Sequence, residues 1–112
     1  MPKQTIQLDR VFSAMADPTR RAVLARLCEG PATVSELAQS FDMALPSFTQ
    51  HLGVLEACGL VSSEKEGRVR TYRLAPETLQ AAEDWMAERR SVWETRLDQL
   101  DSYLLKMKGK KK

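Results

Sequence analysis

The sequence is poor in the residues from which metal and catalytic sites are built: one histidine, His51, and two cysteines, Cys28 and Cys58, thirty positions apart. A soft-metal site needs three or four ligands at suitable spacing, and none cluster here, so no metal site and no cofactor are expected. Two separated thiols also fit a reducing compartment better than a disulfide scaffold. There is no glycine-rich phosphate loop, no Ser/His/Asp constellation beyond the one histidine, and no paired cysteine spacing, which argues against an enzyme. No apolar run approaches the length of a membrane span. The N-terminal stretch Met1 to Thr5 is polar and lacks the apolar segment and small-residue cleavage site of an exported chain, so a cytoplasmic protein with no membrane partner is expected. Internal repeats and low-complexity linkers are also absent from the 112 residues. One domain over residues 1–105 is therefore expected, followed by a basic, disordered tail at 106–112.

A net charge of +2 does not by itself argue for nucleic acid, but the charge is segregated. Lys65, Arg68, Arg70 and Arg73 gather around Gly67, Arg20 and Arg21 are adjacent, and the stretch from Glu77 to Asp101 is predominantly acidic. Such a chain can turn a basic face toward phosphates.

The elements are short until the last. Ile6, Val11, Phe12 and Met15 are spaced for one helical face, in a helix ending before Asp17-Pro18. Asp17 as N-cap and Pro18 at the first helical position open a second helix with Val23, Leu24, Leu27 and Cys28 as its apolar stripe, and Gly30-Pro31 stops it. Thr33-Val34-Ser35-Glu36 reads as a capping box opening a third helix through Leu37, Ala38 and Phe41. After a tight connection at Asp42-Met43-Ala44, a fourth helix carries Phe48, Leu52 and Leu55 on one face and closes at Gly59. Two such helices joined by about three residues form a helix-turn-helix, whose second helix can enter the major groove.

Beyond Gly59 the period changes. Leu60 to Lys65 and Arg68 to Leu74 are expected as two strands around Glu66-Gly67, with Tyr72 and Leu74 toward the core and Arg68 and Arg70 near the tip, a basic wing. From Pro76 a last helix is expected to about Leu105, with Leu79, Ala82, Met86, Trp93, Leu97, Leu100 and Leu104 spaced by threes and fours. It is longer than a small domain is wide, which implies a partner chain. The expected fold is mainly α with a small β-hairpin: a winged helix-turn-helix with a long C-terminal dimerisation helix.

These motifs resemble the ArsR family of bacterial winged-helix repressors. Ala16-Asp17-Pro18-Thr19-Arg20-Arg21 is similar to the family's second-helix opening, Thr33 to Ala38 to its third helix, and Pro46 to Leu60 to its recognition-helix signature. Glu66-Gly67-Arg68 followed by Tyr72-Arg73-Leu74 is similar to its wing. The segment Trp93 to Leu104 further resembles a branch without metal sites. The resemblance implies a homodimer, built from the first and last helices, that binds an imperfect inverted repeat in double-stranded DNA and usually represses. Val11 and Phe12 of the first helix, with Trp85, Trp93, Leu97, Leu100 and Leu104 of the last, are then the expected interface. Thr33 and Ser35 stand where many members carry a cysteine-rich metal motif, and the last helix has no histidine. Gly53 stands where lysine or arginine is common and Ala44 where a serine would cap, so the recognition helix has fewer phosphate anchors than usual.

On a helical wheel Pro46, Gln50, Gly53 and Ala57 lie opposite the apolar face, with Ser47 and Thr49 flanking. Ser47 and Gln50 are the candidate base-edge readers, because glutamine pairs bidentately with adenine and serine serves several bases; the alternative is an ordinary solvated face. His51 contacts a phosphate or satisfies a local hydrogen bond. Arg68, Arg70 and Arg73 are candidate phosphate or minor-groove contacts, and Arg20 either touches phosphate or pairs with an acidic neighbour such as Asp17. Trp85 and Trp93 at helical spacing are core or dimer contacts rather than an effector pocket, and no effector is legible. Cys28 is expected in the core; Cys58, at the end of the recognition helix, is left open, with a thiol-responsive repressor as one alternative. A winged-helix module that binds protein is the other, and an apolar recognition face would mark it.

Overall fold

Asp17 follows the C-cap of one helix and caps the start of the next. In the computed structural model, which describes residues 7–110, α1 (Leu8–Met15) is followed by α2 (Pro18–Leu27), and the Asp17 carboxylate accepts from the Arg20 backbone amide at 3.0 Å. That bond, more than any nearby charge, holds the Asp17 carboxyl below its ordinary range. Pro18 occupies the first turn, where its missing N–H costs nothing. The expected capping box is also formed. Thr33 Oγ1 accepts from the Glu36 amide at 3.1 Å, and Glu36 Oε1 accepts from the Thr33 amide at 2.8 Å, opening α3 (Val34–Ala38). The same amide lowers the Glu36 carboxyl. Ile6 and the polar N-terminal stretch lie outside the described residues.

The recognition-helix candidate is α4 (Leu45–Ala57). It ends at Gly59, whose φ of +86° suits glycine, and the chain turns into β2 (Val61–Glu66) and β3 (Val69–Leu74). A Cβ at Gly59 would stand 2.9 Å from Thr78 Oγ1, itself buried. Gly59→Ala should therefore cost about 1–2 kcal/mol from backbone strain, and more from the clash, read as a lower denaturant midpoint; an unchanged midpoint would contradict this placement.

The hairpin register pairs Glu66 with Val69, so the two-residue loop is Gly67-Arg68, one position later than the sequence suggests. Gly67 has φ +65° and among the described residues no non-glycine residue has positive φ, as in a turn that needs glycine only at its first central position. The offset moves Arg68 from the start of a strand to the tip of the wing. A third strand was not expected: β1 (Ala32–Thr33) pairs antiparallel with β3, Ala32 opposite Tyr72, giving the order β1-β3-β2. Two residues between Gly30-Pro31 and a capping box show no alternation to read.

The chain divides after Ala81 into two compact units. In the first, Val11, Val23, Leu27, Leu37, Phe48, Leu52, Leu55, Leu60 and Tyr72 are buried. Cys28 is not. It follows the last residue of α2 and is exposed, because the stripe of Val23, Leu24 and Leu27 ends one residue earlier. The last helix, α5 (Pro76–Lys110), continues past Leu105, so residues 106–110 of the expected tail are helical; Lys111 and Lys112 lie outside the described residues. Among the described residues no helix is long and apolar enough to cross a membrane.

Candidate nucleic-acid interface

Phe48, Leu52 and Leu55 turn one side of α4 into the core, which leaves Pro46, Ser47, Thr49, Gln50 and Gly53 exposed on the other. The polar face is therefore a consequence of the apolar period, as the helical wheel predicts. The Thr49 hydroxyl donates to the Pro46 carbonyl at 2.9 Å, so its proton is committed within the helix while its oxygen can still accept. Nothing lies within 4 Å of where a Gly53 Cβ would project, so packing within the chain does not demand glycine there. Ala44 precedes α4 and supplies no side-chain cap.

The three wing arginines differ. Arg68, at the hairpin tip, is exposed and makes no hydrogen bond or ion pair among the described residues. Arg70 Nη1 donates to Ser63 Oγ at 2.8 Å, and that hydroxyl donates to Glu56 Oε2 at 2.8 Å, a chain running from β3 through β2 to α4. Arg73 Nη2 lies 3.4 Å from Glu64 Oε1 in a largely solvated pair, which is worth little in water. Sequence alone does not separate the three by their partners, because those of Arg70 and Arg73 lie across the sheet.

The Arg20 side chain is engaged within the chain. Its Nε donates to the Ala14 carbonyl at 2.8 Å, Nη2 approaches the Ser13 carbonyl at 3.4 Å, and Nη1 lies 3.1 Å from His51 Nδ1 on α4. Asp17 binds the Arg20 backbone amide, and its Oδ2 stands 3.8 Å from His51 Nδ1. Arg21 Nη1 donates to the Met15 carbonyl at 2.9 Å, so both arginines complete the C-terminal end of α1. The short α1–α2 connection could have signalled this capping; the partnership with His51, 31 residues away, had no local signal.

Val11, expected at an interface, is 0% exposed within the chain and has no surface to offer a partner, whereas Phe12 is half-buried. In the second unit the side chains of Trp85, Trp93, Leu97, Leu100 and Leu104 are exposed, with the Arg89 guanidinium 4.4 Å from the centre of the Trp85 ring. Cys58 is half-buried, its thiol donating to the Leu55 carbonyl at 3.4 Å, beside a groove of about 300 Å³ lined also by Asp9, Arg10, Ala14 and Val54. Among the described residues no three His, Cys, Asp or Glu side chains gather where they could hold a metal ion.

Residues 15–64 match the model of a helix-turn-helix domain. The chain is 44% identical over 73 residues to the HTH-type transcriptional regulator Rv2034 of Mycobacterium tuberculosis, covering 65% of this chain and 68% of that one. It is 34% identical over 79 residues to the transcriptional repressor SdpR of Bacillus subtilis, covering 70% and 88%. A crystal structure of an ArsR family transcriptional regulator superposes with a TM-score of 0.75 at 54% identity, over 84% of this chain and 97% of that one. An ArsR-like regulator from Rhodococcus sp. RHA1 gives 0.69 at 32% identity, over 83% and 88%. With its capped helix-turn-helix, exposed polar α4 face and arginine-tipped hairpin, the chain belongs to the ArsR family of helix-turn-helix transcriptional regulators, which are DNA-binding proteins and not enzymes.

Proposed function

We propose that the protein is a cytoplasmic repressor that binds an imperfect inverted repeat as a homodimer, reading bases with α4 and holding the backbone with its wing. The observation that carries this reading is the exposed Ser47, Thr49, Gln50 and Gly53 face of α4 together with an uncommitted Arg68 at the hairpin tip. A helix in the major groove places its first turns against base edges, while a hairpin reaches phosphates alongside. The bare backbone at Gly53 allows close approach. The polar character of the face favours DNA over a protein partner. Arg70 and Arg73 contribute less than Arg68, because their internal partners hold each guanidinium against the hairpin, whereas Arg68 is unrestrained. Repression is supported by the relative named as a transcriptional repressor. The dimer is supported by the exposed apolar stripe of α5.

Titration of the protein against its own upstream DNA and a scrambled duplex tests the reading; equal affinity for both at physiological salt would refute it. Gln50→Ala should relax preference at one position of each half-site, at about 1–3 kcal/mol. Arg68→Ala should instead weaken all sequences alike and reduce the salt slope by about 0.9 per lost phosphate contact. Identical sequence profiles for the two variants would contradict the division of labour between helix and wing.

A further inference from the structure

We infer that Arg20 is a positioning residue for His51, holding its imidazole as the Nε2–H tautomer so that His51, and not Arg20, donates to the DNA backbone. The inference rests on the reading of α4 as the DNA-contacting helix. A guanidinium has five N–H donors, no acceptor, and does not lose its proton. With Arg20 Nη1 3.1 Å from His51 Nδ1, a hydrogen bond forms only if Nδ1 offers its lone pair, and the proton of the neutral ring then sits on Nε2. Asp17 does not favour the other tautomer strongly, since its Oδ2 is engaged by the Arg20 amide and stands 3.8 Å from Nδ1, beyond hydrogen-bond reach.

The guanidinium is itself held. Nε and Nη2 face the Ala14 and Ser13 carbonyls at the end of α1, so each of the three nitrogens has a partner within the chain. These three bonds fix the plane of the guanidinium and leave one N–H each on Nη1 and Nη2. His51 lies one turn beyond Ser47 on the same side of α4 and keeps 22% of its side chain exposed. Its donor nitrogen is on the ring edge away from Arg20, where a phosphate oxygen can accept.

Imidazole ¹⁵N spectra of the free protein, above the pH at which the ring loses its charge, test the first half without DNA. The expected result is an unprotonated Nδ1 in the wild type and a mixed tautomer in Arg20→Ala; an Nδ1-protonated wild type, or a tautomer indifferent to Arg20, would overturn the inference. Operator titration over a range of salt tests the second half. Arg20→Ala should lose about tenfold in affinity with an unchanged salt slope, and should lose nothing further in a His51→Ala background. Additive losses with a slope reduced by about 0.9 would instead make Arg20 a phosphate ligand. His51→Gln, whose amide nitrogen reaches toward the Nε2 position, should bind within a few-fold of wild type, while His51→Asn should lose about tenfold. Equal losses would remove the donor role, and this pair leaves the α1 cap intact should Arg20→Ala fold poorly. If the wild type prefers no DNA, the DNA reading of α4 and the donor role fall together, while the imidazole spectrum still decides what Arg20 does to His51.

Discussion

A Leu97→Glu, Leu100→Glu double variant is expected to sediment as a monomer and to lose about a hundredfold or more in operator affinity. In the second unit of the chain, Trp93 is 65% exposed, and Leu97, Leu100 and Leu104 are each about half exposed. Their spacing of four, three and four residues lines one seam of a helix, the pattern by which two helices pack knobs into holes. Burying a leucine is worth about 1.5–3 kcal/mol, and the two substitutions remove four leucines from a symmetric interface and put charges in their place. Losing the dimer then separates two half-site contacts that had been linked, and linkage commonly contributes a factor of 10²–10⁴. The substituted positions are outside the core of the first unit, so far-UV helicity and the unfolding of that unit should be retained. Wild type that is monomeric at micromolar concentration, or a double variant that stays dimeric with normal operator binding, would reject α5 as the dimerisation helix.

Features fixed by neighbouring residues could be read from the sequence, and those fixed by distant partners could not. The Asp17 cap, the Thr33–Glu36 box and the Gly59 turn depend on residues within three positions of each other or on one backbone angle, and all three are formed. The apolar period of α4 likewise located its exposed face. Cys28 was assigned to the core because it continues an i, i+4 pattern from Leu24, yet the pattern does not say where the helix runs out of core to cover it. Val11 failed differently: periodicity marks an apolar face without saying whether the chain's own core or a partner covers it. The two-residue β1 is specified by its pairing with β3 rather than by its own composition. Among the candidate site residues, Ser47, Gln50 and Arg68 were legible as exposed polar groups. The commitments of Arg20, Arg70 and Arg73 depend on partners brought close only by folding.

Phe48→Ala should cost about 3–5 kcal/mol of stability, a large part of the 5–15 kcal/mol typical of a domain, and should disturb DNA reading beyond its effect on folding. Phe48 is 1% exposed and sits between Ser47 and Thr49, so the residue that anchors α4 is flanked by residues of the proposed reading face. Its ring centre lies 5.1 Å from that of Phe41, at an interplanar angle of 33°, across the turn that joins α3 to α4. This packing matters more than usual at the start of α4, because Ala44 contributes no side-chain hydrogen bond to the free amides of the first turn. Removing the ring leaves both a cavity and an uncapped helix start, and the turn bearing Ser47 and Gln50 should fray. Phe48→Leu keeps most of the volume and should cost much less, about 1.5 kcal/mol or below, with operator affinity near wild type. Urea unfolding gives the stabilities, and titration at a temperature where each variant is folded gives affinity corrected for the unfolded fraction. The expected result is at least a tenfold residual loss for Phe48→Ala and almost none for Phe48→Leu. If Phe48→Ala binds normally once its unfolded fraction is accounted for, the first turn of α4 is held by something other than the Phe41–Phe48 contact.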